Sequence, residues 1–121
     1  LAGAPAADGG PDARLRLDPT YGGAFRASIR EAFRQGAGGF EDDWIATYTD
    51  WGFRLADIGV PVDIWWGDAD RLTSRGHTEA LAAGIRDASL HVIPGAGHSV
   101  AATEWRAILA ALLEPRPRDR G

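Results

Sequence analysis

The sequence predicts a mixed α/β fold that contains two parallel strands. Two short apolar stretches, VPVDIWWG at 60–67 and SLHVIPG at 89–95, are rich in β-branched and aromatic residues and end at Gly or Pro, as buried strands do. Each is followed by a stretch in which apolar residues recur at helical spacing. A strand–helix–strand–helix order with short connections indicates parallel strands that are joined by right-handed crossovers.

The chain before the first strand is expected to be irregular and then helical. Residues 1–19 are rich in Ala, Gly, Pro and Asp, which predicts an irregular segment or a linker. Residues 24–35 predict a helix that ends at GAGG, and residues 40–53 predict a shorter helix whose acidic first turn suits the positive end of the helix dipole. The apolar face of the first of these helices consists of Phe25, Ile29 and Phe33.

Two further helices are predicted around the second strand. Residues 74–85 form the helix between the strands, and residues 99–113 form the last helix. The last helix has a broad apolar side made of Val100, Trp105, Ile108, Leu109 and Leu112. Proline residues then end it, which makes residues 115–121 a solvated tail.

Length and composition exclude several classes of function. A chain of 121 residues is long enough for one ordinary domain, and it has no apolar run of the length that a bilayer requires. Its net charge of -4 and pI of about 5.2 argue against a nucleic-acid-binding surface. The absence of cysteine excludes disulfides and thiolate chemistry, and an acidic domain without disulfides fits the cytoplasm. Motifs for metal ions and phosphates are missing, so no metal and no cofactor are expected.

Two turns rich in Gly and Asp follow the predicted strands. Gly67-Asp68-Ala69-Asp70 follows the first strand, and Gly95-Ala96-Gly97-His98 follows the second. The carboxyl ends of neighbouring parallel strands lie at one edge of a sheet, which is where open α/β sheets bind their ligands. We therefore expect the two turns to meet at a functional site.

Together these segments resemble the C-terminal part of the α/β-hydrolase fold family, over roughly Tyr21–Leu113. The resemblance implies that Asp70 is the acid of a catalytic triad and that His98 is its general base. His98 would accept the proton of a serine that attacks a carbonyl and then pass it to the leaving group, while Asp70 would hold the imidazole in the right tautomer. Asp68, in the same turn, is the alternative acid.

The resemblance also implies a division of the chain into four parts. After the irregular segment or linker at 1–19, residues 20–56 would be a helical, cap-like segment. Residues 57–114 would be the C-terminal strand–helix–strand–helix of the hydrolase core, and residues 115–121 the tail. The expected fold is thus two parallel strands with flanking helices and a partial helical cap.

Ser99 permits two interpretations. The stretch GHSVA is a near match to the G-x-S-x-G turn that presents a nucleophilic serine. However, Pro94 and Gly95 separate Ser99 from its strand, and no histidine follows it, although the family order is Ser, acid, His. We therefore favour Ser99 as a helix cap whose hydroxyl accepts an N–H of the first turn. The nucleophile half of the fold is then expected to be absent from this sequence.

Three functions remain open at this point. The chain could be part of a hydrolase that acts on an ester or amide of a small molecule; related dehalogenases use Asp as nucleophile, so the nucleophile type is open. It could be a non-catalytic binding module or the remnant of a degraded gene. It could also be one half of a split hydrolase, in which a partner chain supplies the nucleophile at an open sheet edge. A small-molecule substrate is expected in the intact enzyme, and nucleic acid and membrane are not expected as partners.

The remaining aromatic and histidine residues have structural interpretations. His77 and His91 are expected to be structural or exposed. Adjacent Trp65 and Trp66 point to opposite faces of their strand. For the aromatic residues of the cap-like segment we favour core packing over substrate contact; these are Trp44, Tyr48 and Trp51.

Overall fold

The computed structural model describes residues 9–114, which form six α-helices, a short 3-10 helix and two β-strands. In chain order the elements are α1 (Pro11–Leu17), α2 (Pro19–Ala32), α3 (Gly38–Tyr48), the 3-10 helix (Leu55–Asp57), β1 (Val62–Gly67), α4 (Arg75–Gly84), β2 (Ala88–Ile93), α5 (Val100–Thr103) and α6 (Trp105–Leu113).

The two strands form a parallel sheet. Their register runs from Val62 opposite Ala88 to Gly67 opposite Ile93, and α4 is the crossover between them. Both strands therefore end at the same edge, as the sequence pattern predicts. The mixed α/β class with two parallel strands is confirmed.

The apolar core of the described residues is small. Three apolar side chains are buried, those of Trp66, Ile85 and Val100, and Thr78 is buried beside them. The indole Nε1 of Trp66 donates a hydrogen bond to the carbonyl of Thr73 at 3.0 Å. This bond ties the end of β1 to the turn that precedes α4.

The expectation of an irregular segment at 1–19 is wrong for its second half, because Pro11–Leu17 is the helix α1 and Pro19 already begins α2. Proline suits the first turn of a helix, where its missing N–H would have no helical partner. Asp18 caps α2 by accepting the backbone N–H groups of Thr20 and Tyr21 at 2.9 and 2.8 Å. Residues 1–8 lie outside the described part of the chain, and so does the predicted tail at 115–121.

The aromatic residues of α3 and the segment after it do not lie in the core. Trp44, Tyr48 and Trp51 are 58, 74 and 59% exposed, so the favoured core-packing role is wrong within residues 9–114. Trp44 and Tyr48 contact each other instead, with 5.4 Å between ring centroids, and Trp51 contacts Phe53 at 6.0 Å. Helical spacing placed Trp44 and Tyr48 on one face of α3, and both side chains on that face are largely exposed within residues 9–114.

The last predicted helix is two helices. The chain breaks at Glu104, which is both the C-cap of α5 and the N-cap of α6. Val100 is buried and Ile108 is half-buried, whereas Trp105 and Leu112 are 57 and 70% exposed, so part of the predicted apolar side is uncovered in the described part. None of the helices in this part is both long and apolar enough to cross a membrane.

Candidate active site

The turns that follow β1 and β2 are joined by backbone hydrogen bonds. The N–H of Asp68 donates to the carbonyl of Ile93 at 3.2 Å, and the N–H of Ala69 donates to the carbonyl of Ala96 at 3.0 Å. Gly67 is buried at this junction, and a Cβ there would lie 2.7 Å from the carbonyl oxygen of Gly97. The close approach of the two turns therefore requires glycine at the end of β1.

Asp70 and His98 meet at this junction. The Nδ1 atom of His98 lies 3.0 Å from Oδ2 of Asp70, whose side chain is 4% exposed. The other oxygen, Oδ1, accepts the backbone N–H groups of Leu72 and Thr73 at 2.7 and 3.1 Å. A carboxylate held in this way acts as an acceptor, so the proton of the neutral imidazole belongs on Nδ1 and the lone pair on Nε2.

The Nε2 atom of His98 is available for chemistry. The side chain is 51% exposed, and Nε2 makes no hydrogen bond to any residue between 9 and 114. A cavity of about 170 Å³ adjoins the ring, and its apolar lining includes Ile64, Trp66 and Leu81. An imidazole with its lone pair directed away from an orienting carboxylate can accept a proton from a bound hydroxyl group or water.

Asp68, the alternative acid, takes a different position. Its Oδ1 accepts the backbone N–H of Gly95 at 2.6 Å, and no hydrogen bond joins it to the His98 ring. Gly95 has a φ of 70°, a left-handed conformation that favours glycine. Asp68 thus anchors the start of the loop that carries His98, whereas Asp70 contacts the imidazole itself.

Ser99 lies at the N-terminal end of α5, but its hydroxyl makes no capping bond to that helix. The expectation that the Ser99 side chain caps the helix is therefore wrong. The backbone N–H of Ser99 donates to the carboxylate of Asp12 at 2.8 Å instead. Its position after a turn, not at a strand-to-helix corner, also differs from that of an elbow nucleophile.

Asp12 of α1 is the residue of this site that sequence reasoning missed. Its Oδ2 accepts the backbone N–H of His98 at 2.9 Å, and its Oδ1 accepts that of Ser99 at 2.8 Å. Partial burial raises the pKa of Asp12, but the hydrogen bonds from Ser99 and His98 outweigh burial and hold this pKa below its usual value of 3.8. The helix itself was detectable, since Pro11 followed by an acidic residue is a helix-start pattern. The contact across 86 residues has no signal in the sequence.

A second Asp–His pair lies on one face of the sheet. The Nε2 atom of His91 is 2.9 Å from Oδ1 of Asp63, and the imidazole stacks on Trp65 with 4.3 Å between centroids. His91 is opposite Trp65 in the register, so the pair joins the two strands. This agrees with a structural role for His91. Among residues 9–114, no group of three or more His, Cys, Asp or Glu side chains is arranged to hold a metal ion.

Comparison with known proteins gives one informative similarity. No family model matches the chain, and no solved structure matches it. A segment of 51 residues is 43% identical to the 2-hydroxy-6-oxononadienedioate/2-hydroxy-6-oxononatrienedioate hydrolase 2 of Pseudomonas putida, a member of the α/β-hydrolase family. The segment makes up 42% of this chain and 18% of that enzyme. Part of the chain is thus similar to a small part of a hydrolase.

Proposed function

We propose that this chain carries the acid and the general base of an α/β-hydrolase that attacks a carbonyl carbon of a small substrate. The observation that carries the proposal is the 3.0 Å contact between Nδ1 of His98 and the buried carboxylate of Asp70, which leaves Nε2 exposed. The partial similarity to a hydrolase supports the same class of reaction.

The reaction would proceed by proton transfers through His98. Nε2 takes the proton of the nucleophile as its oxygen bonds to the carbonyl carbon, and the imidazolium then gives this proton to the leaving group as the bond to that group breaks. Asp70 keeps Nδ1 protonated and stabilises the positive charge that forms on the ring. The nucleophile would come from a strand that lies beyond residues 9–114, in a longer polypeptide or a partner chain.

The proposed substrates share a carbonyl carbon that a nucleophile can attack. The matched relative is named for a 6-oxo diacid, and esters and amides offer the same electrophilic carbon. The apolar lining of the cavity beside His98, which includes Ile64 and Trp66, favours an uncharged group next to the attacked carbon. No metal or cofactor takes part in this scheme.

A split hydrolase is the second candidate, and one observation favours it. Within residues 9–114, β1 pairs with β2 along one edge and with no strand along the other. An unpaired edge of a parallel strand is a template for a further strand. In this version a partner chain supplies that strand and the nucleophile, and the roles of Asp70 and His98 stay the same.

The test compares variants of the two acids in the full-length polypeptide that contains this sequence. Asp70→Asn should lower kcat for a p-nitrophenyl ester by about 10⁴-fold, because the wrong tautomer of His98 would face the nucleophile. Asp68→Asn is the matched control. It retains an oxygen that can accept the Gly95 N–H, so its kcat should fall much less than that of Asp70→Asn. Equal losses in the two variants would contradict the assignment of the acid.

The 121-residue chain alone provides the complementary measurement. It should hydrolyse the ester no faster than its His98→Ala variant, because the proposed nucleophile lies elsewhere. A rate that depends on His98 in this chain would make Ser99 the candidate nucleophile again. A full-length polypeptide whose activity survives His98→Ala would support a binding module over a hydrolase.

A further inference from the structure

We propose that Asp12 is a positioning residue for His98, which is an inference that rests on the proposed function. The two oxygens of one carboxylate hold two successive backbone N–H groups, those of His98 and Ser99, at 2.9 and 2.8 Å. Asp70 binds the imidazole ring of the same histidine, His98, at Nδ1. His98 is therefore restrained twice, through its backbone and through its ring.

The arrangement is specific to Asp12 and does not result from general packing of α1. A cavity of about 230 Å³ lies between α1 and the loop, lined by Leu15 on one side and by Ile93 and Pro94 on the other. Apolar contact between the helix and the loop is thus incomplete, and the carboxylate bridges the gap. Among the described hydrogen bonds, those of Asp12 join α1 to the loop of His98.

Gly97 leaves room for the Asp12 carboxylate because it has no side chain. The nearest atoms to a Cβ at position 97 would all belong to Asp12, with Cγ at 2.6 Å and Oδ1 at 2.9 Å. Gly97 does not have a positive φ, so its backbone tolerates a side chain. The space above Gly97 is therefore occupied by Asp12, and an added methyl group there would displace the carboxylate.

Loss of this restraint should reduce the rate more than the affinity for substrate. The Nε2 atom must lie within hydrogen-bonding reach of the nucleophile, and a misplacement of about 1 Å can cost about 10²-fold in rate. The Asp12 carboxylate accepts the backbone N–H groups of His98 and Ser99 and makes no hydrogen bond to Nε2, so it is assigned no direct part in proton transfer.

The experiment measures kcat and KM for a p-nitrophenyl ester in the full-length polypeptide with Asp12→Ala, Asp12→Asn or Asp18→Ala. Asp12→Ala should lower kcat about tenfold to a hundredfold with KM changed less than about twofold. Asp12→Asn keeps one acceptor oxygen and should fall between Asp12→Ala and wild type. Asp18 also accepts two successive backbone N–H groups, those that begin the neighbouring helix α2, and has no hydrogen bond to the loop, so Asp18→Ala should leave kcat unchanged.

A spectroscopic readout accompanies the rates. The amide protons of His98 and Ser99 should move upfield in Asp12→Ala, because bonds from N–H to a carboxylate are lost. In wild type the same two signals should shift as the pH falls through the lowered pKa of Asp12 and its carboxylate becomes protonated, and in Asp12→Asn they should not. Wild-type amide shifts or wild-type kcat in Asp12→Ala would overturn the proposal, and so would an equal loss of kcat in Asp18→Ala.

Gly97→Ala provides an independent variant in case Asp12→Ala folds poorly. It should lower kcat as Asp12→Ala does, and it should add little further loss in the Asp12→Ala background, where the carboxylate is already gone. Additive losses would show that the two residues act separately and would contradict the inference. If His98→Ala keeps wild-type activity, the proposed function has failed; the amide shifts then still decide whether Asp12 holds the loop.

Discussion

Replacing Gly67 with Ala should separate Asp70 from His98 without touching either side chain. A Cβ at position 67 would overlap the carbonyl oxygen of Ala96 and would lie 2.5 Å from its carbonyl carbon. Non-bonded carbon atoms rest at about 3.5–4.0 Å, so the loop must retreat by about 1 Å. The bond from the Ala69 N–H to Ala96, now 3.0 Å, would break, and so would the 3.0 Å contact between Asp70 and His98.

The cost of this change can be estimated from its two parts. Overpacking of a buried position costs about 1–3 kcal/mol, and the net loss of each of the two hydrogen bonds costs about 0.5–1.5 kcal/mol. We therefore expect Gly67→Ala to lower the free energy of unfolding by about 2–6 kcal/mol, which is a large part of the stability of an ordinary domain.

The assay is urea unfolding of the protein, together with ¹⁵N NMR of its histidine rings. Gly67→Ala should lower the urea midpoint and remove the preference of His98 for a proton on Nδ1. Gly76→Ala is the matched control, because its Cβ would meet no atom within 4 Å outside its chain neighbours and its own helix backbone, and because alanine favours a helix. Its midpoint should equal or exceed that of wild type. A Gly67→Ala protein with the wild-type midpoint and the wild-type tautomer of His98 would refute the reasoning.

Two further predictions concern the stability of the fold. The pKa of Asp12 is lower in the folded chain than its usual value of 3.8, so its contribution to the free energy of unfolding is present above about pH 4–5 and is lost as the pH falls through the folded pKa. The difference in urea midpoint between wild type and Asp12→Ala should accordingly shrink on acidification, and a difference that stays constant to pH 2 would contradict this. Trp66→Phe should cost about 1–3 kcal/mol because it leaves the Thr73 carbonyl without its indole donor, whereas Trp105→Phe, at a 57% exposed position, should change stability by less than about 0.5 kcal/mol. Equal effects of the two tryptophan variants in thermal melts would be evidence against the Trp66 bond.

The sequence predicted the elements whose signals are local. The strand over 60–67 was recognisable from its β-branched and aromatic run and from the glycine that ends it, and the structure has it at Val62–Gly67. The meeting of Asp70 and His98 followed from the parallel order of two strands, since both residues come directly after strands that end at one edge. Their assignment as catalytic acid and base stays a prediction.

The parts that sequence missed depend on non-local geometry. The contact of His91 with Asp63 requires the exact strand register. Apolar patterning alone does not distinguish this register from one shifted by two residues, because such a shift keeps each side chain on the same face. The bond of Asp12 to the His98 loop requires the placement of α1 in space. Helical spacing indicated which aromatic residues of α3 share a face, such as Trp44 and Tyr48, but a period carries no information about what that face packs against.

The loop from Gly95 to Ser99 explains why three carboxylates gather at one sheet edge. A loop with two glycines has high conformational freedom, and among its N–H groups that of Ala96 donates to the end of β2, at the carbonyl of Ile93. Asp68 binds the N–H of Gly95, Asp12 binds those of His98 and Ser99, and Asp70 binds the imidazole. The groups that these three carboxylates bind extend from Gly95 to Ser99. The Nε2 atom of His98 has no partner among residues 9–114. A general base must be held to within about 0.5 Å of its productive position to be effective. The three carboxylates supply this restraint to a loop that would otherwise be flexible.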